Sequence, residues 1–369
     1  MRIPEFRMER MQSTWEHQVR YDLSESGVRA LSAVELFDGD RDALERALRT
    51  PLGYAQGNGH DALREAIASF YPNARAENVC VTTGTSEANF LALTALVAPG
   101  DRVVVVLPAY MQVHGWATAL GAEVVPLWLH EDRAWQPDEM DVRRALHRAK
   151  AVYLCDPNNP TGSVLTTETR EMFVDAVRES GAWLVADQVY RGAEHGDRLT
   201  PSLFADGNVI VTAGLSKVFG LPGLRIGWVV TTPEMATQIW STHDYSTIAP
   251  TTLSAIFAER ALRDRDRLIA RARGIVREGF GRLSRWAHEH DFSYVGPAAG
   301  AIAFLRRDLG MPSATFVDRL IREESTMVVP GEHFLLDGYL RVGYGMPTEQ
   351  LQAGLARISA LLSRAPAAR

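Results

Sequence analysis

Lysine is what this chain has least of. Among its 39 Lys plus Arg residues only Lys150 and Lys217 are lysines, and arginine carries the remaining positive charge. The bias reads as genomic composition, so it gives neither lysine a role by itself. Cysteine is equally scarce. Cys80 and Cys155 each sit inside an apolar, strand-like run, which suits two buried free thiols in a reducing cytoplasm rather than a disulfide framework. No apolar run approaches the ~20 residues of a membrane span. The opening MRIPEFRMERMQSTWEHQVRYDL is charged throughout and lacks a signal peptide's apolar core, so a cytoplasmic location away from membranes is expected. A net charge of -6 without a basic stripe argues against nucleic acid as a partner. The histidines lack metal-ligand spacing, so no metal is expected. Repeats and low-complexity segments are missing too, and the closing SRAPAAR is expected to fray.

What is there is 369 residues, 46% hydrophobic, which is enough for two domains. Short β-branched runs recur at 78–83, 101–108, 122–129, 150–157, 182–187, 208–214 and 225–231, most with room for a helix between them. SEANFLALTALVAPG, for example, has helical spacing and ends in Pro-Gly. Strands alternating with helices predict an α/β fold with a mostly parallel, doubly wound, seven-stranded sheet. Strands buried on both faces read as continuous apolar runs, as VVVVL does. After Pro250 the pattern changes. Residues 251–290 read as one long helix, followed by FSYVGPAAGAIAFLRR, a helix over 314–324, TMVVPG, GYLRVGYG and a helix over 347–363. This predicts a smaller α+β domain, on which the first 30 or so residues pack. The expected division is 30–246 for the large domain, with 1–29 and 247–369 for the small one.

Parallel α/β sheets bind ligands outside the carboxyl ends of their strands, so the residues there are the candidates. Gly84-Thr85-Ser86 is a glycine turn opening a helix, either a phosphate cradle or a plain N-cap. Tyr110, after Pro108, either stacks on a flat ring or is structural. DPNNPTG (156–162) is either a loop or a turn aiming Asn159 into the crevice. Asp187, with Tyr190 three residues on, ends an apolar strand. A carboxylate there calls for an Arg partner or a bound cation, unless it caps a helix. AGLSKVFGLPGLRIGW then brings Ser216, Lys217 and Arg225. A lysine beside cationic groups in a partly dry cleft is expected to have a lowered pKa and to form a Schiff base. A ring to stack, a phosphate to hold, a ring cation and an aldehyde together describe pyridoxal 5′-phosphate.

In that order, these residues resemble the class I/II aminotransferases, fold-type I pyridoxal-phosphate enzymes of aspartate aminotransferase-like architecture. The resemblance spans roughly 20–360. YAQGNGHDALREAI (54–67) is similar to the family's Tyr-x-x-x-x-Gly-x-x-x-Leu-Arg stretch, whose tyrosine reaches the neighbouring subunit's phosphate. YLRVGYG (339–345) resembles its carboxylate-binding arginine segment, and LSESGV (23–28) sits where a glycine lines the substrate site. The resemblance implies that Lys217 binds the cofactor covalently and then shuttles the Cα proton, and that Asp187 keeps the pyridine nitrogen protonated. Asn159 and Tyr190 would hold the phenolic oxygen, and Tyr110 would stack. Gly84, Thr85, Ser86, Ser216 and Arg225, with Tyr54 of a second copy, would bind phosphate. Gly27, Asn159 and Arg341 would bind substrate. It thus implies a homodimer with shared sites, an amino acid substrate and a 2-oxo acid. Gly214 stands where many members carry a phosphate-binding Ser or Thr, and Gln188 where Glu is common. Lys150 reads as a surface residue, His114 and His243 as structural or substrate-pocket residues rather than bases, and Trp116, Trp183 and Trp240 as core or interface.

An arginine gripping the substrate carboxylate in the ring plane leaves the Cα–H bond perpendicular, which favours deprotonation over simple decarboxylation. Transamination and β-elimination both remain open from there. The chain also resembles the capreomycidine synthase-like and lincosamide-pathway branch, where this scaffold does elimination, oxidative deamination or cyclisation in antibiotic biosynthesis. A non-catalytic sensing domain is a third reading, although the first 20 residues cannot supply the DNA-binding domain it needs.

Overall fold

The computed structural model describes residues 2–205 and 207–364. The expectation for SRAPAAR falls largely outside them. Each of the seven β-branched runs contains one strand of a single seven-stranded sheet. These are β1 (Val79–Thr82), β2 (Arg102–Leu107), β3 (Glu123–Trp128), β4 (Ala151–Cys155), β5 (Trp183–Asp187), β6 (Val209–Gly214) and β7 (Gly227–Val230). Their spatial order is β1-β7-β6-β5-β4-β2-β3. Neighbours from β6 through to β3 are parallel. Only β7 runs the other way, antiparallel to both β6 and β1.

Alternation along the strands sends residues into two cores. Val104, Val106, Val152, Leu154, Leu184 and Val211 pack on one face. Val103, Val105, Tyr153, Cys155, Val185 and Ile210 pack on the other. That is why the central runs are apolar: helices cover both faces, whereas the edge strand β3 keeps Glu123 and Pro126 exposed. Both cysteines are buried and free.

Because β7 alone is reversed, the carboxyl ends of β1, β2, β4, β5 and β6 and the amino end of β7 share one edge. Gly84, Tyr110, Asn159, Asp187, Lys217 and Arg225 each follow or precede a strand at that edge, so sheet topology alone gathers them.

Beyond residue 250 a three-stranded antiparallel sheet forms from β8 (Ile302–Arg306), β9 (Val329–Pro330) and β10 (Tyr339–Gly343), in the order β9-β10-β8. Helices Ser313–Glu324 and Thr348–Leu362 accompany it, close to the expected spans. The 251–290 segment differs from expectation. It is two helices, Thr252–Arg263 and Arg265–Glu289, broken at Asp264. The Asp264 backbone leaves helical geometry, and its carboxylate ties Arg260 (2.9 Å) to Arg267 (3.4 Å) across the break. The N-terminal stretch packs on this part of the chain. Tyr21–Asp22 pairs in parallel with Thr326–Met327, and helix Arg7–Trp15 precedes it. No described helix is long and apolar enough to cross a membrane.

Candidate active site

A cavity of about 280 Å³ opens at the shared edge, lined by side chains from the large sheet, from β10 and from the N-terminal stretch. At one end is the start of helix Thr85–Leu96. Gly84 has a φ of +83°, and a Cβ there would overlap the Arg225 guanidinium. Thr85 Oγ1 is buried without a hydrogen-bond partner. Free N–H groups, an unpaired hydroxyl and a guanidinium converge as an anion needs. Arg225, itself left-handed at φ +50°, lies 3.4 Å from Ser216 Oγ, and Ser86 and Ser216 line the same end. Gly214 has a steric reason. A Cβ there would lie 2.5 Å from Thr85 Oγ1 and 2.9 Å from the Ile226 carbonyl. The space a serine would fill is occupied by the Thr85 hydroxyl.

Asp187 lies at the middle of the cavity, 4% exposed. Its carboxylate accepts from Asn89 Nδ2 (2.9 Å), the Tyr153 hydroxyl (3.2 Å) and the Val189 N–H (3.1 Å). Thr212 donates to Asn89 Oδ1 at 2.7 Å, which turns the amide so that its NH2 faces Asp187. Among the described residues no cationic side chain forms an ion pair with Asp187. Burial therefore pushes its carboxyl above the usual range, and the three neutral donors only partly offset that. No helix follows for it to cap. Asn89 and Tyr153 carried no sequence signal, because both sit inside apolar runs and acquire meaning only when β4 and β5 pair.

Lys217 Nζ reaches the cavity and pairs with Glu25 Oε1 at 2.8 Å. The sequence expectation of a lowered lysine pKa is overturned. Burial does press it downward, but the Glu25 carboxylate and Tyr190 outweigh that and hold it above the ordinary value. Glu25 in turn falls to about 2, its desolvation overridden by Lys217. Arg341, 1% exposed, donates to Asn159 Oδ1 (2.9 Å) and to the Ser24 carbonyl (2.6 Å), and its Nε has no partner. The Tyr190 hydroxyl donates to Ser26 Oγ at 2.9 Å. Burial pushes that hydroxyl up to about 12, so it stays a neutral donor at physiological pH.

Helix Arg7–Trp15 presents Met8, Glu9, Gln12 and Ser13 to the cavity, one helical face. Tyr110 donates to Glu9 Oε1 at 2.8 Å and meets Phe6 edge to face. Gly27 packs against the Ser216–Lys217 backbone, while its neighbours Glu25 and Ser26 line the cavity. Tyr54 is not among the lining residues and is 93% exposed. His243 is buried against Glu87 and Thr247, and Lys150 is exposed. Gln188 is buried beside Ser202, and nothing in the structure gives it a chemical role.

The family model described as aminotransferase class I and II matches residues 28–358. Capreomycidine synthase from Streptomyces vinaceus is 33% identical over 349 residues, covering 93% of this chain and 90% of that protein. Among solved structures, a PLP-dependent aminotransferase from Streptococcus suis superposes with a TM-score of 0.94 at 30% identity over the whole of both chains. The PLP-dependent cyclase OrfR superposes with 0.91, also at 30% identity, over 99% of this chain and 98% of that one. With fold, site edge and nine-tenths of the sequence matched, the chain belongs to the class I and II aminotransferase family, of fold type I.

Proposed function

We propose that this protein is a pyridoxal 5′-phosphate-dependent enzyme that removes the α-proton of an amino acid and passes its amino group to a 2-oxo acid. The observation that carries the reading is the meeting of Asp187, Lys217 and Arg341 in one cavity, although they come from the end of β5, the turn after β6 and β10. The residues fit the cofactor. The unpaired Thr85 hydroxyl, the Gly84 turn beneath Arg225, and Ser86 and Ser216 suit its phosphate. The uncompensated carboxylate of Asp187 suits a protonated ring nitrogen. Tyr110 would cover the ring, Asn159 and Tyr190 would hold its phenolic oxygen, and Tyr54 of a second copy would complete the phosphate site of a homodimer. Residues 30–246 then serve as the cofactor domain, and 1–29 with 247–369 close the site from the other side.

When bound, the cofactor supplies an aldehyde for the amine and a π system that takes up the electron pair left at Cα. The chain supplies the rest. Asp187 holds the ring nitrogen's proton by charge. Arg341 has donors to spare once Asn159 and Ser24 are satisfied, and its fork grips the substrate carboxylate. That grip fixes the Cα–H bond over Lys217, whose amine takes the proton and returns it. A panel of amino acids with and without a 2-oxo acid, followed by mass spectrometry, tests the reading. The amino group should appear on the acceptor, and turnover should need it.

A second reading rests on the similarity to a synthase and a cyclase. The same site would then expel a β-substituent or close a ring after α-proton removal. Product formed without any acceptor would move the function there.

A further inference from the structure

Ser24, Glu25 and Ser26, consecutive in sequence, hold three different side chains of the cavity. The Ser24 carbonyl accepts from Arg341, the Glu25 carboxylate from Lys217 and the Ser26 hydroxyl from Tyr190. The segment is pinned along its length. Leu23 donates to the Met327 carbonyl (2.8 Å), Gly343 to the Leu23 carbonyl (2.7 Å), Val28 to the Lys217 carbonyl (3.1 Å) and Arg29 to the Gly345 carbonyl (2.8 Å). Glycines permit this approach. A Cβ at 343 would overlap the Glu25 carbonyl, and one at 345 would overlap the Gly27 carbonyl. Glu25 is further fixed by the Gly27 N–H, which donates to the same Oε1 at 2.7 Å. Two donors, the Gly27 N–H and Lys217 Nζ, thus meet on one oxygen of Glu25, a side chain that is otherwise half exposed.

We propose that Glu25 is a positioning residue for Lys217, holding its nitrogen as a paired ammonium whenever that nitrogen is not bonded to the cofactor. This rests on the reading of Lys217 as the cofactor lysine. The consequence is chemical. An ammonium is neither nucleophile nor base, so Lys217 must leave Glu25 and lose its proton to solvent before it attacks an aldehyde or takes a proton from Cα. Of the carboxylates lining the cavity, Asp187 is committed to Asn89, Tyr153 and Val189 and Glu9 accepts from Tyr110, while Glu25 is the one paired with Lys217. Other charged or titratable groups around the pair are Tyr190, Arg341, Asp22 and Asp187, and Glu9, Glu16 and Arg225 line the same cavity. Arg341 opposes the ammonium and Tyr190 favours it, but Glu25 is the larger favouring influence and the one hydrogen-bonded to it.

The scarcity of lysine makes the test clean. The full chain, dialysed free of cofactor, is treated with trace acetic anhydride across about pH 7–11, the range that brackets an ordinary lysine. Peptide mass spectrometry then follows Lys217, with exposed Lys150 as internal reference. In the parent protein Lys217 should acquire reactivity at higher pH than Lys150. In Glu25→Gln its profile should move to lower pH, with acetylation at neutral pH faster by about tenfold or more, as loss of a charge-assisted hydrogen bond implies. Glu25→Asp should restore most of the parent profile, and Lys150 should not change in either. A parent Lys217 titrating with or below Lys150 overturns the proposal, and this comparison needs no variant, so misfolding of Glu25→Gln cannot shelter it. Identical Lys217 profiles in parent and Glu25→Gln overturn it as well. The cofactor-lysine reading fails separately, through a borohydride-fixed label on Lys150 instead of Lys217.

Discussion

Asp187 is a buried carboxylate with three neutral donors and, among the described residues, no ion-paired cation, a balance that a ring N–H⁺ would correct. Asp187→Asn keeps the acceptor oxygen but removes the charge. Solvent-deuterium exchange at the substrate Cα should slow by at least about 100-fold, since each factor of ten corresponds to ~1.4 kcal/mol of transition-state stabilisation. A rate within about threefold of the parent's would contradict the role. Arg341→Lys keeps charge but not the fork. It should lower kcat/KM for α-amino acids by about 100-fold or more, while simple amines lose far less. Equal losses for both would show that Arg341 acts through folding. Gly214→Ser puts a side chain into the space held by Thr85 Oγ1 and the Ile226 carbonyl. Overpacking of that kind costs about 1–3 kcal/mol, so thermal unfolding should shift down and cofactor affinity should weaken together. A serine that tightened the cofactor would show that Thr85 does not stand in for it.

At the scale of elements, the proposed phosphate site asks helix Thr85–Leu96 to hold its N-terminus still. Glu87 does this. Its carboxylate accepts from the Thr83 N–H (2.6 Å), from Ser246 (2.6 Å) and from Thr247 (2.9 Å), with His243 at 3.4 Å. Burial opposes that charge, but the bonds from His243, Ser246 and Thr83 outweigh it and bring the carboxyl down from 4.5 to about 2. A depressed acid stabilises the fold above its unfolded pKa, and that contribution is lost as pH falls through the folded one. Stability should therefore decline between about pH 4.5 and 2. Glu87→Gln should flatten that decline in urea titrations and lower stability at neutral pH by about 1.5–3 kcal/mol, the range for a bond to a charged group. An unchanged acid limb would place the acid sensitivity elsewhere. The break at Asp264 makes a related point. Arg and Asp at helical spacing on both sides made 251–290 look continuous, and only the turn closed by Arg260 and Arg267 shows where one helix ends.

The whole molecule leaves Tyr54 in solvent, with Leu52 and Tyr245 also largely exposed. Tyr54 in solvent suits the proposed shared site, in which it would reach the phosphate of a second copy. Sedimentation should find a dimer, and Tyr54→Phe should stay folded and dimeric while binding cofactor more weakly. A fully active monomer would refute the shared site.

The sequence by itself determined the seven strands, the edge on which ligand-binding residues fall, and the order of Gly84, Tyr110, Asn159, Asp187, Lys217 and Arg225. Strand burial and strand ends write themselves into local pattern, as apolar runs closed by Gly, Pro, Asn and Asp. Tertiary structure alone decided what touches those residues. Asn89 and Tyr153 reach Asp187 only because helix and strand cross it, Thr85 fills the place of a serine at 214 only because two turns meet, and Glu25 pairs with Lys217 across 192 positions of sequence. Periodicity records which way a side chain faces, but not what arrives opposite it. The electrostatics of the lysine, downward by its local setting and upward in the folded chain, turned on that difference.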